Sequence, residues 1–286
     1  IAFARRWHGY CLTGDVRHQY LPIYYGEGNN GKSVLLDTIS EVMGDYAGEA
    51  PPDLLVVRKH AEHPTQVADL CGRRLVVASE TEDGAELNLP LVKRLTGNLR
   101  LKARLMRQDY FEFTRTHKFV LATNHKPIVA ESTEAAWRRI LLVHFRVVIP
   151  PSERDPHLAE TLRTEHPGIL AWLVSGASEE LSIPDTIRLA TESYRGRANS
   201  FEEFLESECD FGDGTVTPST DIAAAYEAWA NEEGVAVLKG RSTGPALRAR
   251  GCVQTKLNGA RAWRGVSLRG GGRIAQNHAE PPVSSL

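Results

Sequence analysis

Cysteine is scarce and scattered in this chain. Cys11, Cys71, Cys209 and Cys252 lie far apart, with no two at the short spacing of a metal-ligand pair. This argues against a zinc site and a disulfide framework, and buried, reduced thiols are the expected state. Long apolar runs are missing too. Nothing approaches the roughly 20 residues a membrane helix needs, and no charged-then-apolar leader opens the chain, so no membrane role is expected and the reading is cytosolic. Charge of one sign is also lacking: the net charge of -2 excludes no partner. With 42% hydrophobic and 24% charged residues, the composition is that of an ordinary globular protein. A single core rarely grows past about 250 residues, so 286 residues suggest a main domain plus a small appended one. The first residue is Ile1 rather than Met, at a helical pattern, Phe3–Leu12, so the chain is expected to be part of a longer polypeptide.

Hydrophobic patterning supplies the organisation. Leu21–Tyr25 is a short apolar run before a glycine-rich turn, and Ser33–Met43 follows with Val34, Leu35, Ile39 and Val42 at helical spacing. Further buried strands are expected at Arg74–Ser79, His117–Thr123 and Arg139–Phe145. Strands separated by helices imply an α/β fold with a mostly parallel sheet. Leu89–Phe113 reads as a helix and then a basic hairpin around Gly97-Asn98, carrying Lys93, Arg94, Arg100, Lys102, Arg104 and Arg107. The aromatics after it, Tyr110, Phe111 and Phe113, read as a strand's core face. Helices are expected at Pro167–Leu181 and Asp185–Tyr194, then a linker at Arg195–Ser200 with a domain boundary near Asn199.

Beyond that boundary, Phe201–Cys209 and Asp221–Glu233 read as amphipathic helices. Val235–Arg273 contains no Asp or Glu but has Lys239, Arg241, Arg248, Arg250, Lys256, Arg261, Arg264, Arg269 and Arg273. A helix at Gly244–Arg250 and a hairpin of Cys252–Leu257 and Ala262–Leu268 turning at Asn258-Gly259 suggest a winged-helix-like DNA-binding domain, with Trp263 and Leu268 in its core. The composition from Gly270 onward suggests a disordered tail. The expected division is 1–20, the end of a helical segment; 21–198, the main domain; 199–269, the winged-helix-like domain; and 270–286, the tail.

The chemistry centres on Gly26-Glu27-Gly28-Asn29-Asn30-Gly31-Lys32-Ser33. It satisfies the Gly-x-x-x-x-Gly-Lys-Ser pattern of a P-loop between a strand and a helix, where backbone N–H groups and a helix amino terminus cradle phosphates. ATP and Mg2+ are therefore expected, with Lys32 at the terminal phosphates and Ser33 on the metal. Such a site needs a carboxylate at a neighbouring strand end. Glu80, after Arg74–Ser79, is the first choice and Glu82 the alternative. Asn124, ending another buried strand, is the candidate γ-phosphate sensor. Arg138 and Arg139, before the last strand, offer a guanidinium to a neighbouring subunit's phosphate, and one of the two could be structural.

Together the P-loop, Ser79-Glu80-Thr81-Glu82, Leu91–Gly97, Ala122–Pro127 and Trp137–Ile140 resemble the superfamily 3 helicases of phage and plasmid primase-helicases, relatives of the poxvirus primase-helicase within the AAA+ ATPases. The resemblance covers nearly the whole chain. It implies an ATP-hydrolysing DNA helicase working as a ring, usually a hexamer, on a single strand or fork in the cytoplasm of a bacterial host. It also implies a possible primase domain upstream. By the same resemblance Lys93–Arg107 matches the DNA-contacting hairpin, which makes Lys93, Lys102 and Arg104 the candidate DNA ligands; the family favours Gly-Gly-Asp where this chain has Gly97-Asn98-Leu99. A P-loop ATPase that does not unwind, or a DNA-binding initiator, are the alternatives that the residues alone leave open.

Overall fold

A computed structural model describes residues 1–51, 54–57, 64–79, 85–129, 133–235, 237 and 243–269. The chain divides into two compact units, Ile1–Arg195 and Gly196–Leu286. In chain order the first contains α1 (Ala2–Cys11), β1 (Leu21–Tyr25), α2 (Lys32–Met43), β2 (Ala47–Glu49), α3 (Pro64–Ala68), β3 (Leu75–Ser79), α4 (Leu89–Gly97), β4 (Arg100–Arg104), β5 (Tyr110–Thr114), β6 (Lys118–Thr123), α5 (Glu134–Trp137), β7 (Ile140–His144), α6 (Leu158–Thr164) and α7 (His166–Ala177). The division falls within α8 (Asp185–Glu208), so Arg195–Ser200, expected as a linker, is helical. The second unit adds β8 (Cys209–Pro218), α9 (Ser219–Glu232), α10 (Gly244–Ala249), β9 (Val253–Leu257) and β10 (Ala260–Leu268).

The fold class is α/β, with a parallel sheet in the order β2-β3-β6-β1-β7. All five residues of β1 are buried, as expected of a strand covered on both faces. Its register places Tyr25 beside Thr123 of β6 and His144 of β7, so the carboxyl ends of three strands lie together. The connection leaving β1 leads toward β2, whereas the one leaving β6 leads across β1 to β7. Connections diverging from adjacent strands open a crevice at the carboxyl edge, where ligands bind in such sheets.

α1 and α7 cover one side of the core, around Trp7, Tyr24, Leu36, Ile39 and Leu173. They meet through glycine. A Cβ on Gly9 would stand 2.4 Å from the Ala177 nitrogen, and one on Gly176 would stand 2.3 Å from the Arg5 carbonyl oxygen. The segment from α1 to β1 is fastened by cations: the Arg74 guanidinium donates to the Leu12 carbonyl, the Lys118 ammonium to that of Thr13, and Arg115 Nη2 to that of Val16 at 3.1 Å. Cys11, Cys209 and Cys252 are buried free thiols, but Cys71 is exposed, contrary to expectation, because it lies in the turn after α3.

In the second unit the three-stranded antiparallel sheet runs β8-β10-β9. Phe201 and Phe204 of α8 pack on Tyr226 of α9, with ring centroids 4.9 and 5.3 Å apart, and Leu247, Trp263 and Val266 complete the core. Leu268 is packed against that core. Asn258 and Gly259, at φ 51° and 81°, form the tight turn joining β9 to β10. No described helix is long and apolar enough to cross a membrane.

Two predictions follow from this packing. Gly176→Ala forces α1 and α7 apart and lowers stability by about 1–3 kcal/mol, read from urea denaturation. The second concerns acid. His8, whose Nε2 lies 3.0 Å from the Tyr24 hydroxyl, and His117 are buried, and desolvation lowers each from 6.5 to about 3. Both stay neutral in the fold while the unfolded chain protonates them below 6.5. Their contribution is therefore present above 6.5 and is lost as pH falls toward 3, by at most about 1.4 kcal/mol per pH unit for each. Urea midpoints between pH 7 and 5 should fall accordingly, and His117→Phe should flatten the slope by one proton's share.

Candidate functional site

β1 delivers the chain into the loop 26–31, and α2 begins at Lys32. Glycine is required at the loop's ends. Gly26 has φ 150°, and an added Cβ would stand 2.4 Å from the Phe145 carbonyl oxygen; Gly31 caps α2 in the left-handed region at φ 83°. Asn29 shares that region at φ 61°, which asparagine tolerates. Asn30 pins the loop from within. Its Nδ2 donates to the Glu27 carbonyl and, at 3.3 Å, to that of Phe145. From outside, the Ile149 amide donates to the Asn29 carbonyl at 2.8 Å. Glu27, Gly28 and Asn29 are exposed on this fixed frame, and nothing lies within 4 Å of where a Cβ on Gly28 would stand.

Lys32 folds back over the loop. Its Nζ donates to the Gly26 carbonyl (2.6 Å), Asn30 Oδ1 (3.0 Å) and Asn124 Oδ1 (3.4 Å), and the residue is only 6% exposed. All three acceptors are neutral, and among the described residues no carboxylate pairs with the ammonium. Burial holds its pKa below the ordinary lysine value. The first amides of α2 have no acceptor within the helix, and the helix dipole adds positive potential at the same place. Ser33 is exposed beside them. Asn124 stands just past β6, next to β1, so the expected sensor residue and the loop lysine are in contact. β3 ends at Ser79, paired with Ala122 of β6; Glu80 and Glu82 lie outside the described residues.

The two arginines separate. Arg139 is buried: its Nε donates to Thr96 Oγ1 at 3.3 Å, one Nη donates to Gln19 Oε1 at 2.9 Å, and the other to the Ala135 carbonyl. This guanidinium is consumed within its own chain, by neutral acceptors rather than a salt bridge. Arg138 is exposed, with one long bond of 3.5 Å to Gln19 Oε1.

Sequence reasoning missed a cavity of about 1040 Å³ beside the loop, lined by Asn29, Gly31, Val34, Leu35, Ile149 and Trp172 among others. Val34 of α2 and Leu158 of α6, apolar residues left 38% and 37% exposed, line it, and only the fold brings them together. Arg163 of α6 bridges to Glu41 of α2 at 2.9 and 2.8 Å, tying together the helices that flank the cavity.

The hairpin is β4 and β5, and its turn is 105–109, not Gly97-Asn98, where α4 ends. Leu101 and Ala103 face inward, so Arg100, Lys102 and Arg104 share the outer face with their cross-strand partners Thr114, Glu112 and Tyr110. Tyr110 therefore departs from the expected core role: adjacent strand residues point to opposite faces, so it cannot lie with Phe111. Lys93 sits apart on α4, its Nζ 3.5 Å from Thr133 Oγ1. In the second unit Arg250 pairs with Glu202 and Glu206, and Arg269 with Asp210, whereas Arg248, Lys256, Arg261 and Arg264 are exposed. Lys239, Arg241 and Arg273 lie outside the described residues.

Comparison with known proteins adds names to this geometry. The model of a family of unknown function, DUF5906, matches residues 24–139, which takes in the loop, the hairpin, Asn124 and both arginines. The chain is 26% identical over 218 residues to the provisionally named helicase L207/L206 of Acanthamoeba polyphaga mimivirus, covering 68% of this chain and 23% of that protein. It is 24% identical over 239 residues to the provisionally named helicase 184R of Invertebrate iridescent virus 6, covering 70% and 25%. With the provisionally named primase C962R of African swine fever virus, strain Badajoz 1971 Vero-adapted, it shares 26% over 261 residues, covering 80% and 27%. The chain thus spans about a quarter of the length of the curated relatives it matches. Among solved structures, the A form of the apo NrS-1 C-terminal region superposes with a TM-score of 0.52 at 12% identity, over 93% of this chain and 71% of that one, a likeness of fold alone.

Proposed function

We propose that the chain is the ATP-driven motor of a replication helicase of the superfamily 3, AAA+ type, acting on single-stranded or forked DNA as a ring, with a hexamer as the working assembly. One observation carries this reading: the Lys32 ammonium is gathered at the crevice between β1 and β6 on neutral acceptors alone, one of them Asn124. A cation so placed is without a counter-charge, and an anion brought beside it adds a Coulombic attraction that carbonyl dipoles do not supply, on the order of several kcal/mol where water is partly excluded.

In this reading Gly26–Ser33 cradles the phosphates and Lys32 turns to the terminal ones. Ser33 and a carboxylate from the end of β3, Glu80 in first place, would hold Mg2+, which neutralises charge on the transferred phosphoryl group when bound. The exposed hydroxyl of Ser33, at the mouth of the loop, suits that role. Asn124, released from Lys32, orients toward the γ-phosphate and the attacking water. The apolar cavity beside Gly31 is the right size and place for the nucleoside. Arg138 is the finger presented to a neighbouring subunit, and Arg139 is its support. Lys102 and Arg104 contact DNA phosphates, while Lys93 is left to the α4–α5 contact. The winged-helix reading of 199–269 supplies a second DNA-binding surface through Arg248, Lys256, Arg261 and Arg264. The viral proteins named helicase and primase agree with a role in replication, and a priming domain is the natural partner of such a motor.

Strand displacement on a forked duplex tests this. Lys32→Ala should abolish it and cut ATP hydrolysis by ~10²-fold or more. Hydrolysis indifferent to single-stranded DNA would sink the helicase reading. The arginines give a separate test. Arg138→Ala should reduce hydrolysis by about 10³-fold without shifting the urea midpoint. Arg139→Ala should instead destabilise the fold by about 1–3 kcal/mol, because it strands buried acceptors. Mixing Arg138→Ala with Lys32→Ala subunits should restore partial activity if the finger acts between subunits.

A further inference from the structure

The cations of the hairpin differ from those of the chain that pair with a carboxylate. Arg5 and Arg6 pair with Glu179, Arg163 with Glu41, Arg188 with Asp185, and Arg195 with Glu134. Arg100, Lys102 and Arg104 have no carboxylate partner among the described residues, even though Glu112 stands directly across the ladder from Lys102. Arg104 Nε is in addition buried without an acceptor. Between these cations stands one aromatic ring. Tyr110 is 51% exposed, and Lys102 Nζ and Arg104 Cζ each lie 5.1 Å from its centroid.

Folding does not explain this arrangement. The inner face, Leu101 and Ala103, already anchors the hairpin, whereas the outer face collects positive charge without neutralising it and leaves half of a large ring in water. The occupant that satisfies both halves is a polyanion whose own rings can stack. Aromatic side chains in a basic groove bind single-stranded nucleic acid in this way, each stacked base contributing independently of sequence. A duplex keeps its bases stacked on one another and would use the cations but not the ring.

We propose that Tyr110 is a stacking platform for one base of a single strand, with Arg100, Lys102 and Arg104 holding the adjoining phosphates. The proposal rests on the reading of the hairpin as a DNA contact and goes beyond it, because it assigns the grip on the strand to a base as well as to the backbone. Tyr110 then supplies a contact that is insensitive to salt, and Lys102 one that is not.

Fluorescence anisotropy with two labelled oligonucleotides of equal length, one oligo-dT and one with the same sugar-phosphate backbone but abasic, reads the two contributions apart. Tyr110→Ala should weaken oligo-dT binding roughly 5- to 150-fold while leaving the abasic strand and the salt slope unchanged. Tyr110→Phe should bind as the parent does, which also controls for folding. Lys102→Ala should weaken both strands and reduce the salt slope. Equal weakening of both strands by Tyr110→Ala, or none, overturns the stacking role while the DNA contact stands. A parent chain that binds neither strand, or a Lys102→Ala variant with an unchanged slope, overturns the DNA reading of the hairpin and this proposal with it.

Discussion

An ammonium group drawn out of water onto neutral acceptors is the constraint around which the first unit is arranged. Removing a charge from water is costly unless it is well bonded, and the penalty falls on whatever holds the group in place. Here the holder is the loop 26–31, and its rigidity is overdetermined. Gly26 closes on Phe145, Asn30 bonds both to the loop and across to Phe145, and the Ile149 amide secures Asn29. Each tie reaches the segment after β7, so β7 must lie beside β1. β6 pairs with the other side of β1, and this brings Asn124 to Lys32. The strand order and the lysine's environment are thus one requirement seen at two scales.

Much of this was legible because its signals are local. The loop spacing, the buried run before it and the helical run after it occupy consecutive residues, and β3, β6 and β7 each announce themselves as short apolar segments. What was not legible depends on residues that only the fold assembles. The cavity joins α2 to residues near 150 and 170. β8 contains Asp210, Gly212, Asp213, Gly214 and Pro218, a composition poor in strand formers, and is a strand because β10 pairs with it. Arg195–Ser200 looked like a linker because Gly196 and its polar neighbours carry no apolar stripe. Tyr194 against Trp137 and Ser200 against Tyr226 hold the helix on either side of that stretch. The two arginines could not be ranked from sequence, since only the approach of Thr96, Gln19 and Ala135 decides which is buried.

Arginine and lysine are spread over the whole chain, yet their surroundings sort them into kinds. Some are spent on carboxylates at the surface, where an exposed pair contributes little and chiefly fixes orientation. In the second unit Arg250 and Arg269 belong here, which removes them from the run of positive charge that the sequence presents and leaves Arg248, Lys256, Arg261 and Arg264 to define its exposed basic surface. Others have no carboxylate partner among the described residues, and Lys32 at the loop, Arg100, Lys102 and Arg104 on the hairpin, and Arg138 are among them.

The same contrast runs from one edge of the parallel sheet to the other. At the amino-terminal edge Arg74, Arg115 and Lys118 are also held without carboxylates, but each closes on a carbonyl of the α1–β1 connection, and Lys118 adds the Thr116 carbonyl at 3.1 Å. Those cations do their work by being bound: they fasten α1, and a ligand could displace them only by loosening the fold. At the carboxyl edge Lys32 bonds the Gly26 carbonyl and the side-chain amide oxygens of Asn30 and Asn124, and its bond to Asn124 is long. Giving that bond up costs little, and no strand or helix depends on it. A buried cation whose bonds are structural belongs to stability; one whose bonds can be exchanged is the kind that the proposed function requires of Lys32. By that measure the two edges of a single sheet have been given different tasks, and the exchangeable one lies where the topology opens its crevice.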